Sequence, residues 1–259
     1  MKTLKVIKIG GNIINNEVDL LSFLKGFSNL IGPKILVHGG GKLASNLSNK
    51  MNIPVQLIDG RRVTNAETLD IATMVYAGKI NKNIVAKLQS FGCNSVGFSG
   101  ADGNTIIANK RPETPINYGF AGDIVKVNID VLKTLINNDI TNIFSAISHD
   151  KKGQLLNTNA DTVASELAIA FSNDYKVELY YCFEKKGVLK RMNDENSVIK
   201  KINNKKYIEL KKSNIINEGM IPKLDNCFYA LDHNVSKVCI GQPTMLFDHH
   251  SNFTTIQKL

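Results

Sequence analysis

Residues 35–51 run from a short apolar stretch, Ile35-Leu36-Val37, through His38 and three consecutive glycines into a segment whose Leu43, Leu47 and Met51 recur at helical spacing. A strand that enters a helix through Gly39, Gly40 and Gly41 can bend sharply, approach a ligand closely and aim backbone N–H groups at one point, because no Cβ stands in the way. The unpaired first-turn amides and positive dipole end of the helix add to this, so the unit is an anion site in outline, suited to phosphate or carboxylate. No Gly-x4-Gly-Lys-Ser/Thr can be written through it, so it is not a Walker A loop. A glycine cluster between strand and helix can also be a mere tight connection. A second glycine bend, Gly10-Gly11, closes the first apolar run, Leu4 to Ile9. In an open parallel sheet two such bends face one crevice, with Lys8 at its mouth.

Strand-like runs at 4–9, 34–37, 95–98, 142–147 and 176–182 alternate with segments of helical period, including 17–30 and a long one at 66–91 broken near Gly78. That alternation predicts an α/β fold with a mainly parallel sheet. Residues 105–108 and 122–127, divided by Arg111-Pro-Glu-Thr-Pro115, read as a hairpin off the sheet, either a flap over a ligand or a decorative insertion. Thr64 or Asn65 caps the long helix, with Glu67 placed for a capping box with Thr64.

With 259 residues, 43% hydrophobic and 21% charged, the chain can bury a large core. No stretch reaches membrane-spanning length and no signal peptide opens it, so a cytoplasmic location is expected. Four cysteines, at 93, 182, 227 and 239, lack Cys-x-x-Cys spacing and read as core residues in a reducing compartment, which argues against a zinc site. The formal charge of +9 admits nucleic acid as a partner, but the lysines of 185–212 are interleaved with Asn and Glu and no recognition motif accompanies them. Attraction of anionic small substrates is the better use of that field.

Three further stretches carry candidate chemistry. Arg61 and Arg62 precede a helix cap; they are surface charge, or one turns inward and its planar fork grips a carboxylate. Asn157, Asn159 and Asp161 alternate like calcium-loop ligands, but Thr162 and Ala168 stand where an EF-hand needs its glycine and terminal Glu, so Asn159 or Asp161 caps the next helix or faces a ligand. Lys223 follows Pro222 in the first turn of another helix, the wrong sign for that dipole end, so an anion is expected beside it. Asp161 and a nucleotide phosphate are the candidates.

Taken in order, Lys-x-Gly-Gly at 8–11, His-Gly-Gly-Gly at 38–41, Gly-Arg-Arg-Val-Thr at 60–64, Gly-Asp-Ile-Val-Lys-Val-Asn at 122–128, Asn-Thr-Asn-Ala-Asp at 157–161 and Gly-Met-Ile-Pro-Lys at 219–223 make the chain resemble the acetylglutamate kinases of the amino acid kinase superfamily. The likeness spans essentially the whole length. It implies one domain, an open, mostly parallel sheet sandwiched between helices in three layers with a β-hairpin flap. An N-terminal lobe, about 1–175, would bind acylglutamate, and a C-terminal lobe, about 176–259, would bind ATP. It implies transfer of the ATP γ-phosphoryl group to the side-chain carboxylate of an N-acetyl- or N-succinylglutamate, the second step of arginine biosynthesis, with Mg²⁺ carried by the nucleotide. Lys8 and Lys223 would stabilise the transferring phosphoryl group and Asp161 would hold them. Amides of Gly10, Gly11, Gly40 and Gly41 would bind the phosphoryl and the attacked carboxylate, and Arg62 and Asn157 the acylglutamate. Glu184, Lys185, Lys186, Gly187, Ile215, Ile216 and Asn217 would line the nucleotide site. A homodimer that arginine does not inhibit is expected, because the chain begins at the first strand.

One segment departs from the family pattern. Where Asp-Val-x-Gly-Val is usual, this chain reads Tyr180-Tyr-Cys-Phe-Glu-Lys-Lys-Gly-Val188. That departure leaves open a nucleotide or amino-acid sensor without turnover. A serine acyl hydrolase, using His38-Gly-Gly-Gly41 as oxyanion loop and Ser99 as nucleophile, is the other alternative; it would need Ser99 on a strand-to-helix turn.

Overall fold

β1 (Thr3–Ile9) packs Leu4 and Val6 into one apolar cluster and Ile7 and Ile9 into another, so it is buried on both faces as a central parallel strand must be. The structure, a computed structural model, describes residues 1–259 except 59, 192, 217–219, 249 and 259. After β1 come α1 (Gly11–Asn15), α2 (Glu17–Ser28), β2 (Lys34–His38), α3 (Gly41–Lys50), β3 (Leu57–Ile58), β4 (Arg61–Arg62), α4 (Ala66–Thr73), a π-helical turn (Met74–Ile80), α5 (Asn81–Ser90) and β5 (Ser95–Phe98). The chain continues through β6 (Ile106–Lys110), β7 (Gly122–Val127), α6 (Asp130–Asn137), β8 (Thr141–Ser145), β9 (Ile147–His149), β10 (Leu155–Asn157) and α7 (Ala160–Phe171). It ends with β11 (Lys176–Cys182), β12 (Lys201–Ile202), α8 (Asn204–Lys212), α9 (Ile221–Asp232), β13 (Lys237–Gly241) and β14 (Thr254–Ile256).

The main sheet has eight strands in the order β12-β14-β13-β11-β1-β2-β8-β5, parallel except where β13 meets β14. Helices α6, α7 and α9 cover the face that carries Leu4 and Val6; α2, α4 and α5 cover the other. The three-layer α/β expectation is met. From β1 the chain first builds outward through β2 and later returns to lay β11 and β13 on the other side, so the crevice at this reversal lies over the carboxyl ends of β1, β2 and β11.

Several local expectations change. The run 142–147 splits at Ala146: β8 stays in the main sheet, and β9 joins a second sheet of order β10-β9-β6-β7, which contains the antiparallel β6/β7 hairpin. The long helix is not broken at Gly78 but continues through the π-helical turn. Asn65, not Thr64, caps it, accepting from Thr68 N at 2.9 Å, so the Thr64–Glu67 capping box does not form. Thr64 is buried, and its hydroxyl instead meets the carbonyl of Arg62 and the amide of Asn157. Met51 ends α3 and is exposed, while the helix buries Ala44 and Ser48. All four cysteines are free and buried.

Candidate active site

Side-chain alternation along β1 decides where Lys8 goes. It shares the face of Leu4 and Val6, the one covered by α7 and α9. Both helices point their N-termini at the end of β1. Asp161 sits in the first turn of α7 and Lys223 in the first turn of α9. Lys8 Nζ lies 2.7 Å from Asp161 Oδ1, and Lys223 Nζ donates to Asp161 Oδ2 at 2.6 Å. The anion expected beside Lys223 is therefore Asp161. The three side chains are only 14–16% exposed. Burial alone would push the Asp161 carboxyl up, but the two ammonium groups outweigh it and hold the group well below the usual carboxylate range. It is ionised throughout the physiological range.

Two cavities meet at this ion triad. The first, about 290 Å³, is bounded by the triple-glycine bend, Arg62, Tyr76 and Asn157 together with Lys8 and Asp161. The second, about 340 Å³, is bounded by Gly10, residues 183–185 and 187–189, Ile215, Ile216, Met220 and Lys223, again with Lys8. Lys8 is common to both. One of the paired arginines does turn inward: Arg62 donates to the carbonyl of Gly41 at 2.9 Å and to Ser45 Oγ at 2.7 Å, while Arg61 stays exposed at the rim. Asn157 reaches the same cavity from β10, its amide donating to Thr64 Oγ1 at 3.0 Å. The β6/β7 hairpin is more than decoration, since Arg111, Ala121, Gly122 and Asp123 wall the first cavity, Arg111 paired with Asp123. The lining carries four cations, Lys8, Arg61, Arg62 and Arg111, against two carboxylates, Asp123 and Asp161, that are already paired, so the cavity attracts anions.

Some expected residues stand elsewhere. The amide of Gly10 donates to the carbonyl of Cys182 at 3.0 Å instead of facing the cavity, while Gly11 opens α1 and borders the first cavity. Glu184, Lys185 and Gly187 border the second cavity, but Lys186 reaches Asn196 instead and does not line it. Lys185 lies 3.5 Å from Glu195. Asn217 lies outside the described residues, as do Glu218 and Gly219 of the Gly-Met-Ile-Pro-Lys motif and Asp59 beside Gly60. Asn159 takes the cap of α7, accepting from Asp161 N at 2.7 Å and Thr162 N at 3.3 Å. Ser99 donates to Asp102 in a turn that leads into a short 3₁₀ segment, not a helix, which removes the nucleophile elbow required by the hydrolase alternative.

The π-helical turn brings in groups that the motifs did not announce. It packs Tyr76 and Ile80 against the glycine bend so closely that a Cβ on Gly40 would lie 2.4 Å from Ile80 Cδ1 and 2.7 Å from Tyr76 Cδ1. Asn81, just after the turn, donates to His38 Nε2 at 3.1 Å and to the carbonyl of Ile143 at 3.0 Å. His38 Nδ1 then donates to the carbonyl of Gly39 at 2.9 Å. Burial pushes the imidazole pKa down to about 4, against the opposing Gly39 bond, so His38 is a neutral strut between loop and helix. Gly40→Ala is expected to cost about 1–3 kcal/mol, as overpacking does, and to raise the KM for the ligand of the first cavity. Thermal melting together with steady-state kinetics would check both, and a melt and KM equal to those of the parent would contradict the packing.

Comparison with known proteins agrees with this geometry. A profile of the amino acid kinase family matches residues 3–242. An acetylglutamate kinase of Cytophaga hutchinsonii is 53% identical over 249 residues, covering 96% of this chain and 94% of that one. An acetylglutamate kinase of Parabacteroides distasonis is 46% identical over 245 residues, 93% and 95% of the two chains. Among solved structures, smu.665 from Streptococcus mutans UA159 is 27% identical with a TM-score of 0.82, and the match covers 98% of each chain. The chain belongs to the amino acid kinase family, in its acetylglutamate kinase branch.

Proposed function

We infer that the enzyme transfers the γ-phosphoryl group of ATP to the side-chain carboxylate of N-acetyl-L-glutamate, giving the acyl phosphate that arginine biosynthesis requires. The observation that carries this reading is the pair of ammonium groups, 2.7 and 2.6 Å from one carboxylate, at the wall shared by two cavities. The relatives named as acetylglutamate kinases support the choice of acceptor.

The acceptor carboxylate, with a reference pKa of about 4.3, is ionised at neutral pH, so no base is needed. The obstacle is repulsion between two anions, about 4 kcal/mol for each pair of unit charges 4 Å apart at an effective dielectric of 20. Lys8, bordering both cavities, would screen attacking and transferring oxygens together. Lys223 would meet the phosphoryl oxygens from the nucleotide side. Asp161, with an oxygen on each lysine, orients them and abstracts no proton. The amides of Gly11, Gly40 and Gly41 would donate to the phosphoryl and carboxylate oxygens, and Arg62 with Asn157 would hold the rest of the acylglutamate. Glu184, Lys185, Gly187, Ile215 and Ile216 would form the nucleotide wall. Both oxygens of Asp161 are engaged, and among the described residues no three His, Cys, Asp or Glu side chains cluster to hold a metal. Mg²⁺ would enter as part of the MgATP substrate, bound mostly by phosphates and water.

Release of ADP on addition of N-acetylglutamate, followed by a coupled assay, tests the reading. Nucleotide and acylglutamate binding without ADP would establish the sensor instead. Running N-succinylglutamate beside the acetyl compound reads acyl preference, a choice that would fall to the flap, residues 101–126. Among the described residues no helix is long and apolar enough to cross a membrane. A homodimer is the expected assembly, to be read by light scattering.

A further inference from the structure

The three members of the ion triad come from separate elements, β1, α7 and α9, and one side chain touches or abuts all three. Tyr181 is the register partner of Lys8 across the β1–β11 pairing, so the two side chains stand side by side on the same face of the sheet, with strands about 4.8 Å apart. Its hydroxyl donates to the main-chain carbonyl of Asp161 at 3.0 Å, in the first turn of α7. Its ring lies under the ammonium of Lys223, with Nζ 5.3 Å from the centroid. The residue is 1% exposed and lines neither of the two cavities. The phosphotransfer mechanism makes no use of it.

We propose that Tyr181 is a positioning residue for phosphoryl transfer, a platform that sets the heights of Lys8, Asp161 and Lys223 relative to one another. Two separate forces act through it. The hydrogen bond ties the helix turn carrying Asp161 to the sheet, and the ring face holds the Lys223 ammonium over the site through a cation–π contact. The aromatic ring on this strand therefore does more than fill the core, because the ammonium rests on its face and its polar tip is spent on the triad.

The inference rests on the phosphotransferase reading, and its test separates the two. Tyr181→Phe keeps the ring and loses the hydroxyl; Tyr181→Met loses both. With N-acetylglutamate and ATP, the Phe variant is expected to lower kcat about 3–10-fold and the Met variant roughly 30-fold or more, with both KM values within about twofold of the parent, because misplacement of a catalytic group by a fraction of an ångström acts on the transition state. A core filler would lower the melting temperature and leave kcat of the folded protein alone. Folded variants turning over at the parental rate, or a change confined to KM, would overturn the proposal. If the Met variant does not fold, kcat of the Phe variant decides alone. A second readout needs no turnover: the ring shields the Lys223 Hε protons, so their NMR resonances should move downfield in Tyr181→Met and stay in place in Tyr181→Phe. Unmoved resonances in the Met variant would defeat the platform whether or not the parent protein is a kinase.

Discussion

Arginine in place of Lys8 is expected to lower turnover by about 10²–10³-fold while the KM for ATP changes little, the loss seen when one preorganised charge-stabilising donor is removed. The charge is kept, so the effect isolates geometry. The Lys8 ammonium is a compact point charge, 2.7 Å from Asp161, bordering both cavities beside Gly10 and Gly11. A guanidinium is broader and planar, and its fork matches the Asp161 carboxylate bidentately. It would therefore turn toward Asp161 and away from the point where acceptor and phosphoryl oxygens approach. In the proposed reading, ground-state binding of ATP would draw on the second cavity's wall, residues 183–185 and 187–189 with Ile215 and Ile216, which the substitution leaves alone, so the loss would fall on kcat. Steady-state kinetics with each substrate varied in turn reads the split. Parental kcat in the arginine variant would remove Lys8 from the chemistry.

Much of this site could be read from residue types and their order. Apolar runs located β1, β2, β5 and β11, and the cation at the wrong end of α9 called for a neighbouring anion, which proved to be Asp161. Charge logic of that kind survives without coordinates because it is local to one helix turn. The π-helical turn was harder. The buried series Ile71, Val75, Ile80, Ile84 and Leu88 steps by four residues except between Val75 and Ile80, where it steps by five. That five-residue step is the trace of a π-turn, but next to Gly78 it resembles a helix break. Tyr76 was missed with it, since nothing in the chain order says that a tyrosine from this helix will meet Arg62 and the glycine bend. Which of Arg61 and Arg62 turns inward depends on the β3/β4 hairpin, whose strands are too short to carry an alternation signal. The Lys185-Lys186 pair was no easier: two adjacent lysines look alike in sequence, yet only the first borders the second cavity.

Asp161→Asn is expected to abolish most turnover and to destabilise the free protein, yet to leave nucleotide binding intact or tighter. The substitution is isosteric, so the cause is charge. In the parent, one carboxylate separates two ammonium groups whose side chains are about 15% exposed. Without it two like charges face each other in a poorly solvated crevice, at a cost of order 3 kcal/mol, as when one member of a buried ion pair is removed. For a chain of this size that is a fall in melting temperature of roughly 6–12 °C. Acid stability carries the same signature. The folded-state pKa of Asp161 lies below its unfolded value of about 3.9, so its contribution is complete above that value and is lost as pH falls toward the folded pKa. The difference in stability between parent and Asn variant should therefore be steady at neutral pH and shrink below about pH 4. Nucleotide phosphates would neutralise the two bare lysines, so MgADP should raise the melting temperature of the variant more than that of the parent. A variant that melts like the parent, or gains no more from MgADP, would mean that Asp161 does not hold the two lysines together.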